Sequence, residues 1–143
     1  MSEMAAELSL KDWRFSIDPE GIAWAVVDRE GESTNTLGRR VLEELGAIVE
    51  RVEQIAAASR TGDGKSDPKA ASLKGLVFVS GKDSGFIAGA DVREFDTVAK
   101  EADVTEAITQ VTGLLDRIEK LPIPVVAAID GFCLGGGLEL ALA

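Results

Sequence analysis

Two glycine-rich stretches, FIAGAD at residues 86–91 and GFCLGGGLE at residues 131–139, each follow an apolar run that reads as a strand. At the C-terminal edge of an α/β sheet such turns open into helices, whose first amides are unpaired and carry partial positive charge. Glycine lets another molecule approach that backbone closely. Two amides, one from each turn, can converge on one oxygen atom and stabilise negative charge developing there. A helix opening near Gly135 or Gly136 puts Glu139 in its first turn, where the macrodipole favours the carboxylate. Beside an amide pair, that carboxylate can move a proton at the polarised group. A first-turn glutamate can equally serve the dipole alone, and spacing does not separate the two roles.

Other chemistries are excluded by residue type. The 143 residues contain no His, no Tyr and one Cys. A Ser-His-Asp or Cys-His nucleophile system cannot be built from them, nor a closed His/Cys zinc site, which takes four such ligands. Acid–base work therefore falls to carboxylates or Lys, and no metal is implied. A phosphate-binding P-loop needs Gly at position 76 and Ser or Thr at 83; the chain has Leu76 and Asp83 around Gly81-Lys82. A dinucleotide fingerprint beginning at Gly135 and Gly137 fails at Leu140. The net charge of −10 argues against a nucleic-acid or anionic-membrane binder. No signal-peptide pattern opens the chain and no apolar run reaches the roughly 20 residues of a membrane span. With a lone Cys133, these features lead us to expect a reducing, cytoplasmic setting.

The elements that must position the two turns follow from periodicity. Trp13, Phe15 and Ile17 alternate in a strand over 12–18, a PEG turn follows, and Ile22, Trp24 and Val26 share one face of a second strand over 22–28. Both tryptophans are expected in the hairpin core. Residues 39–58 place Val41, Leu45, Ile48, Val52 and Ile55 at helical spacing, with Glu43, Glu44, Glu50, Arg51 and Glu53 on the polar face. Residues 59–72 read as an exposed insertion loop. Residues 73–81 read as a buried strand, 82–95 as a Gly-rich connection with a short helix, and 103–119 as a helix with Val104, Ile108, Val111, Leu115 and Ile118 in one stripe. Two prolines begin a strand over 121–131. The order ββα, βα, βα argues an α/β fold with a largely parallel sheet beyond the hairpin.

At the two turns the sequence resembles the crotonase (enoyl-CoA hydratase/isomerase) superfamily, through FIAGADVREF and PVVAAIDGFCLGGGLELALA. ESTNTLGRRVLEEL is similar to the first helix and its lead-in in the hydratase domain of multifunctional α-subunits of fatty-acid oxidation. The resemblance runs from about residue 12 to the end, apart from 59–72. It implies a crotonase-like spiral of ββα repeats, of which residues 1–143 are a truncated N-terminal portion. It implies hydration of trans-2-enoyl-CoA in β-oxidation, with Δ3,Δ2-enoyl-CoA isomerisation or non-catalytic acyl-CoA binding as rivals. By position, the amides of Ala90 and Gly136 hold the thioester oxygen, and Glu139 is the first catalytic glutamate. Ala88, Gly89, Ala90, Asp91 and Val92, with Gly136, contact acyl-CoA. Coenzyme A enters as part of the substrate, and hydration takes no cofactor. NAD would serve a dehydrogenase domain elsewhere, and the parent would be an oligomer with a thiolase subunit as partner. The family's second glutamate does not occur in these residues, so the piece itself is expected to be inactive.

Four further residues carry simpler expectations. Asp91 suits the N-cap of the short helix that follows. Arg29 and Lys82 are lone cations within reach of an anionic ligand or merely solvated. Cys133 reads as a small buried residue.

Overall fold

The computed structural model describes residues 8–60, 73–97 and 101–143. The chain forms β1 (Trp13–Ile17), β2 (Ile22–Val27), α1 (Arg39–Arg60), β3 (Gly75–Ser80), β4 (Gly85–Ile87), a 3-10 helix (Val92–Thr97), α2 (Glu101–Glu119), β5 (Val125–Ala128), β6 (Phe132–Cys133) and α3 (Gly136–Leu142). The insertion expected over 59–72 begins inside α1, and its residues 61–72 lie outside the described residues.

The main sheet runs β1-β2-β3-β5. The hairpin β1–β2 is antiparallel and the β2–β3 and β3–β5 pairs are parallel, as alternating strands and helices require. Asp18 makes the hairpin turn, its Oδ1 accepting the amides of Glu20 and Ile22. Pairing sets Trp13 opposite Val27 and Phe15 opposite Ala25. This face packs on α1, whose Val41, Leu45, Ile48, Val49, Val52 and Ile55 are buried. Trp13 donates Nε1–H to the Val41 carbonyl at 2.9 Å and meets Phe78 edge-on with ring centroids 5.9 Å apart.

Three expectations are corrected. The inward face of β2 is the small one, Ala23, Ala25 and Val27; Trp24 is only half-buried on the opposite face, its Nε1–H bound to Asp18 Oδ2. Alanines leave room beneath the sheet for the larger side chains of Trp13 and α1, so volume decides the face rather than hydropathy. Glu44, placed by periodicity on the polar face of α1, is buried. Its Oε1 accepts the amides of Lys11, Asp12 and Trp13, which enter β1 beside it. The α2 stripe is covered only toward its C-terminus, where Leu114 and Ile118 are buried, while Ile108 is 61% exposed. Periodicity names the apolar side of a helix but does not supply a neighbour for it.

Candidate functional site

Two short strands bring the glycine turns together. β4 and β6 pair in parallel as a second, two-stranded sheet, so the turns following them leave from the same end. Strands of three and two residues show no readable alternation, so from sequence β4 reads only as part of a Gly-rich connection. The turns touch back to back: a β-carbon added to Gly135 would lie 3.5 Å from Gly89 Cα, and one added to Gly89 would lie 3.6 Å from the Leu134 carbonyl.

The direction of one amide at each turn follows from the bonding of its neighbour. Leu37 N–H donates to the Gly89 carbonyl at 2.8 Å, and Asp91 N–H donates to the Leu37 carbonyl at 3.1 Å. A trans peptide points its N–H opposite to its C=O, so Ala90 N–H faces away from Leu37. Gly89 permits this peptide orientation through its φ of 114°. At the second turn Gly135, with φ 51° and ψ −124°, occupies the first central position of a II′-like turn closed by Gly137 N–H to the Leu134 carbonyl at 2.9 Å. The Gly135 carbonyl accepts Glu139 N–H at 3.1 Å along the axis of α3, so Gly136 N–H points out of the helix start. Among the described residues neither Ala90 N–H nor Gly136 N–H has an acceptor. Ala90 is exposed and Gly136 partly so, which leaves both amides open to an oxygen from outside the chain.

Glu139 follows in the first turn of α3, and it is exposed. α3 is seated by Gly137, whose hydrogen faces Ile87: a β-carbon there would lie 2.6 Å from the Ile87 carbonyl oxygen. No larger residue lets the helix approach β4 so closely. The amides of Ala90 and Gly136 and the carboxylate of Glu139 are therefore carried on adjoining turns, an arrangement that suits a developing oxyanion beside a proton acceptor.

Residues 65–143 match the enoyl-CoA hydratase/isomerase family, more than half of the chain and both glycine turns. The chain belongs to that family. Relatives called fatty acid oxidation complex subunit alpha, from Idiomarina loihiensis and Shewanella halifaxensis, are each 41% identical, over 93% and 87% of this chain. This chain spans 17% and 15% of their lengths. Among solved structures, an enoyl-CoA hydratase from Bacillus anthracis superposes with a TM-score of 0.72 at 26% identity, covering 92% of this chain and 44% of that one. An enoyl-CoA hydratase/carnithine racemase from Magnetospirillum magneticum gives 0.71 at 28% identity, over 93% and 44%. The fold is accordingly the crotonase fold expected from the two motifs.

Within this enoyl-CoA hydratase/isomerase scaffold, the other candidates are engaged internally. Asp91 caps the 3-10 helix, Oδ1 accepting Arg93 N–H at 3.0 Å, and is buried. Its carboxylate also binds the Arg93 guanidinium and, at 2.7 Å, Arg29. The Arg93 hydrogen bonds, aided by Arg29, hold its pKa well below the usual carboxylate range. Lys82 Nζ donates to Asp28 Oδ1 and to the carbonyls of Arg29 and Glu32. Both cations read as possible anion contacts thus spend their charge inside the chain. Val92 is 71% exposed and Ala88 partly so, while Ala88 N–H is taken by the Asn35 carbonyl. Cys133 is partly buried and packs against the core rather than inside it.

Sequence reasoning missed Asn35 as a support. It is fully buried, and its Nδ2 donates to the Val27 and Phe86 carbonyls and to Ser80 Oγ, while Oδ1 accepts Arg29 N–H. One side chain thus ties the ends of β2 and β3 to β4. The available signal was an Asn in the loop between a strand and a helix, a residue whose amide can satisfy several backbone groups at once. Among the described residues no cluster of three or more His, Cys, Asp or Glu side chains is arranged to hold a metal, and no helix is long and apolar enough to cross a membrane.

Proposed function

We propose that this chain is the N-terminal part of an enoyl-CoA hydratase domain, adding water syn across the double bond of a trans-2-enoyl-CoA. The observation that carries the reading is the pair of acceptor-free amides, Ala90 and Gly136, on adjoining turns with exposed Glu139 in the helix that follows. As water adds at C3, negative charge moves to the thioester oxygen, where the two amides donate to it. Their orientation is set beforehand by the carbonyls of Gly89 and Gly135, so the charge develops against dipoles already in place. Glu139 takes a proton from the water or delivers one to C2, with a second carboxylate from outside these 143 residues. Ala88 to Val92 and Gly136 supply the backbone surface for the acyl-CoA.

The longer relatives support placing the active unit in a longer polypeptide and its pathway in fatty-acid β-oxidation. By the same reading, NAD serves a separate dehydrogenase domain and a thiolase subunit completes an oligomeric complex in the cytoplasm. The glycine turn here does not fit a dinucleotide, since Leu140 stands where the fingerprint needs glycine. The test is to give the full-length protein crotonyl-CoA and, in a separate reaction, 3-butenoyl-CoA, follow the conjugated enoyl absorbance and identify the products. Formation of 3-hydroxybutyryl-CoA supports the reading. Migration of a 3-enoyl double bond without hydration would make it an isomerase, binding without turnover a non-catalytic acyl-CoA domain, and neither binding nor turnover would overturn all three.

A further inference from the structure

We propose that Leu37 is a positioning residue that sets the spacing of the two amide donors, an inference that rests on the reading of Ala90 and Gly136 as the thioester-oxygen donors. Leu37 touches both turns, with different parts of itself. Its backbone brackets Ala90: the amide bonds the Gly89 carbonyl, the carbonyl accepts Asp91 N–H, and Leu37 and Ala90 form a parallel bridge. Its side chain reaches the other turn, where Cδ1 lies 2.9 Å from the position a β-carbon on Gly136 would take. The side chain is partly buried and packs against the hydrophobic core, so this methyl has a fixed backing. The segment carrying Leu37 is itself anchored, two residues earlier, by the buried Asn35 amide.

Two consequences follow from this geometry. Trimming Leu37 removes the side-chain contact with the Gly136 turn while leaving the backbone bracket on Ala90, so the two donors lose their common reference. Adding a methyl at Gly136 drives that turn against Leu37 Cδ1. The two changes are complementary in volume, so each should relieve the other. A purely structural Leu37, remote from the donors, would give independent losses that multiply.

The experiment compares full-length wild type, Leu37→Ala, Gly136→Ala and the double variant with crotonyl-CoA. A donor displaced by about 1 Å can cost about 10²-fold. We expect about tenfold lower kcat for Leu37→Ala with KM changed less than about threefold, and about 10²-fold lower kcat for Gly136→Ala. The double variant should recover to about the level of Leu37→Ala alone, and Leu37→Met, which keeps the reach, should stay near wild type. Independent multiplication of the two losses would overturn the proposal; it would mean that the Gly136 methyl crowds the thioester instead. Hydrogen exchange measured without substrate gives an arm that needs no activity. Leu37→Ala should speed exchange in peptides covering 132–139 more than in those covering 86–92, where the backbone bracket remains, and unchanged exchange at 132–139 would also overturn the proposal. If Leu37→Ala does not fold, Leu37→Val decides by the same criteria. Wild type that neither binds nor turns over the thioester would sink the functional reading while the exchange arm still decides whether Leu37 couples the two turns.

Discussion

Replacing Asn35 tests whether one buried amide holds the first glycine turn. In Asn35→Ala the Phe86 carbonyl and Arg29 N–H each lose a partner, whereas the Val27 carbonyl keeps Gly81 N–H at 2.8 Å. A buried group left unpaired costs about 1–3 kcal/mol. Arg29 N–H is only partly buried and water can replace part of its loss, so the two groups together give about 2–4 kcal/mol. That is a large share of the roughly 5–15 kcal/mol that stabilises a domain. Asn35→Asp sharpens the test, because it keeps the acceptor for Arg29 N–H but turns the donor end into an acid facing two carbonyls and a hydroxyl. Those neighbours favour the protonated acid, which raises its folded pKa above the unfolded value of about 3.9. An acid with a raised folded pKa contributes stability that is full below the unfolded pKa and lost as pH rises through the folded one. Denaturant melts of the three proteins from pH 4 to 8 should therefore show Asn35→Asp losing ground to wild type as pH increases. A loss below about 1 kcal/mol for Asn35→Ala at neutral pH, or a pH-independent penalty for Asn35→Asp, would refute the reasoning.

Three other outcomes are expected. Glu139→Gln in the full-length enzyme should lower kcat by about 10²–10⁴-fold with acyl-CoA affinity near wild type, read by steady-state kinetics and direct binding; near-normal kcat would return Glu139 to a helix-dipole role. Asp91, held acidic by Arg93 and Arg29, and Asp12, held acidic by Arg40 and the Glu30 amide, have depressed folded pKa values. Their stabilisation is present above about pH 4 and lost as pH falls through the folded values, so acid melts of Asp91→Asn should lose stability less steeply than wild type. The 143-residue chain should self-associate through its exposed apolar residues, Val126 at 54% and Leu142 at 79% among them, and sedimentation should show this weakened in Val126→Lys.

Much of this architecture was legible in the sequence because its signals were long or chemically restrictive. The helical spacing of Val41 to Ile55 located α1, and the prolines at 122 and 124 marked the start of β5. The glycines at 89 and 135 located both turns, since the backbone takes positive φ there. The supporting contacts were not legible, because they join residues far apart in the chain. Asn35 bonds Phe86 and Ser80, Glu44 collects the amides that begin β1, and Arg29 pairs with Asp91. From sequence Asn35 and Glu44 looked like ordinary polar residues of a loop and a helix surface, while Arg29 read as an anion contact and Asp91 as a helix cap, with nothing to pair them. The direction of the Ala90 amide was hidden for the same reason, because Leu37 sets it from 53 positions away.

The two donors are held by different devices, and this separates the ways in which the site can fail. Ala90 is fixed by a ladder to residues 35–37, so changes at Asn35 should loosen its donor first. Gly136 is fixed by the first turn of α3, which lies on β4 only because Gly137 has no β-carbon to strike Ile87. Gly137→Ala gains helix propensity of about 1 kcal/mol but forces a contact that costs about 1–3 kcal/mol, and the displaced atoms are backbone and β-carbon rather than a flexible tip. The net effect should fall on the Gly136 donor, with faster exchange at 132–139 and at Ile87, which the methyl strikes, while the Leu37 bonds on either side of Ala90 remain. Catalysis by paired amides demands both at once, so either loss lowers turnover, but the exchange pattern tells which device gave way. Leu37 meets both devices, its backbone holding one turn and its side chain reaching the other, so trimming that side chain should loosen the Gly136 turn while the bracket on Ala90 remains.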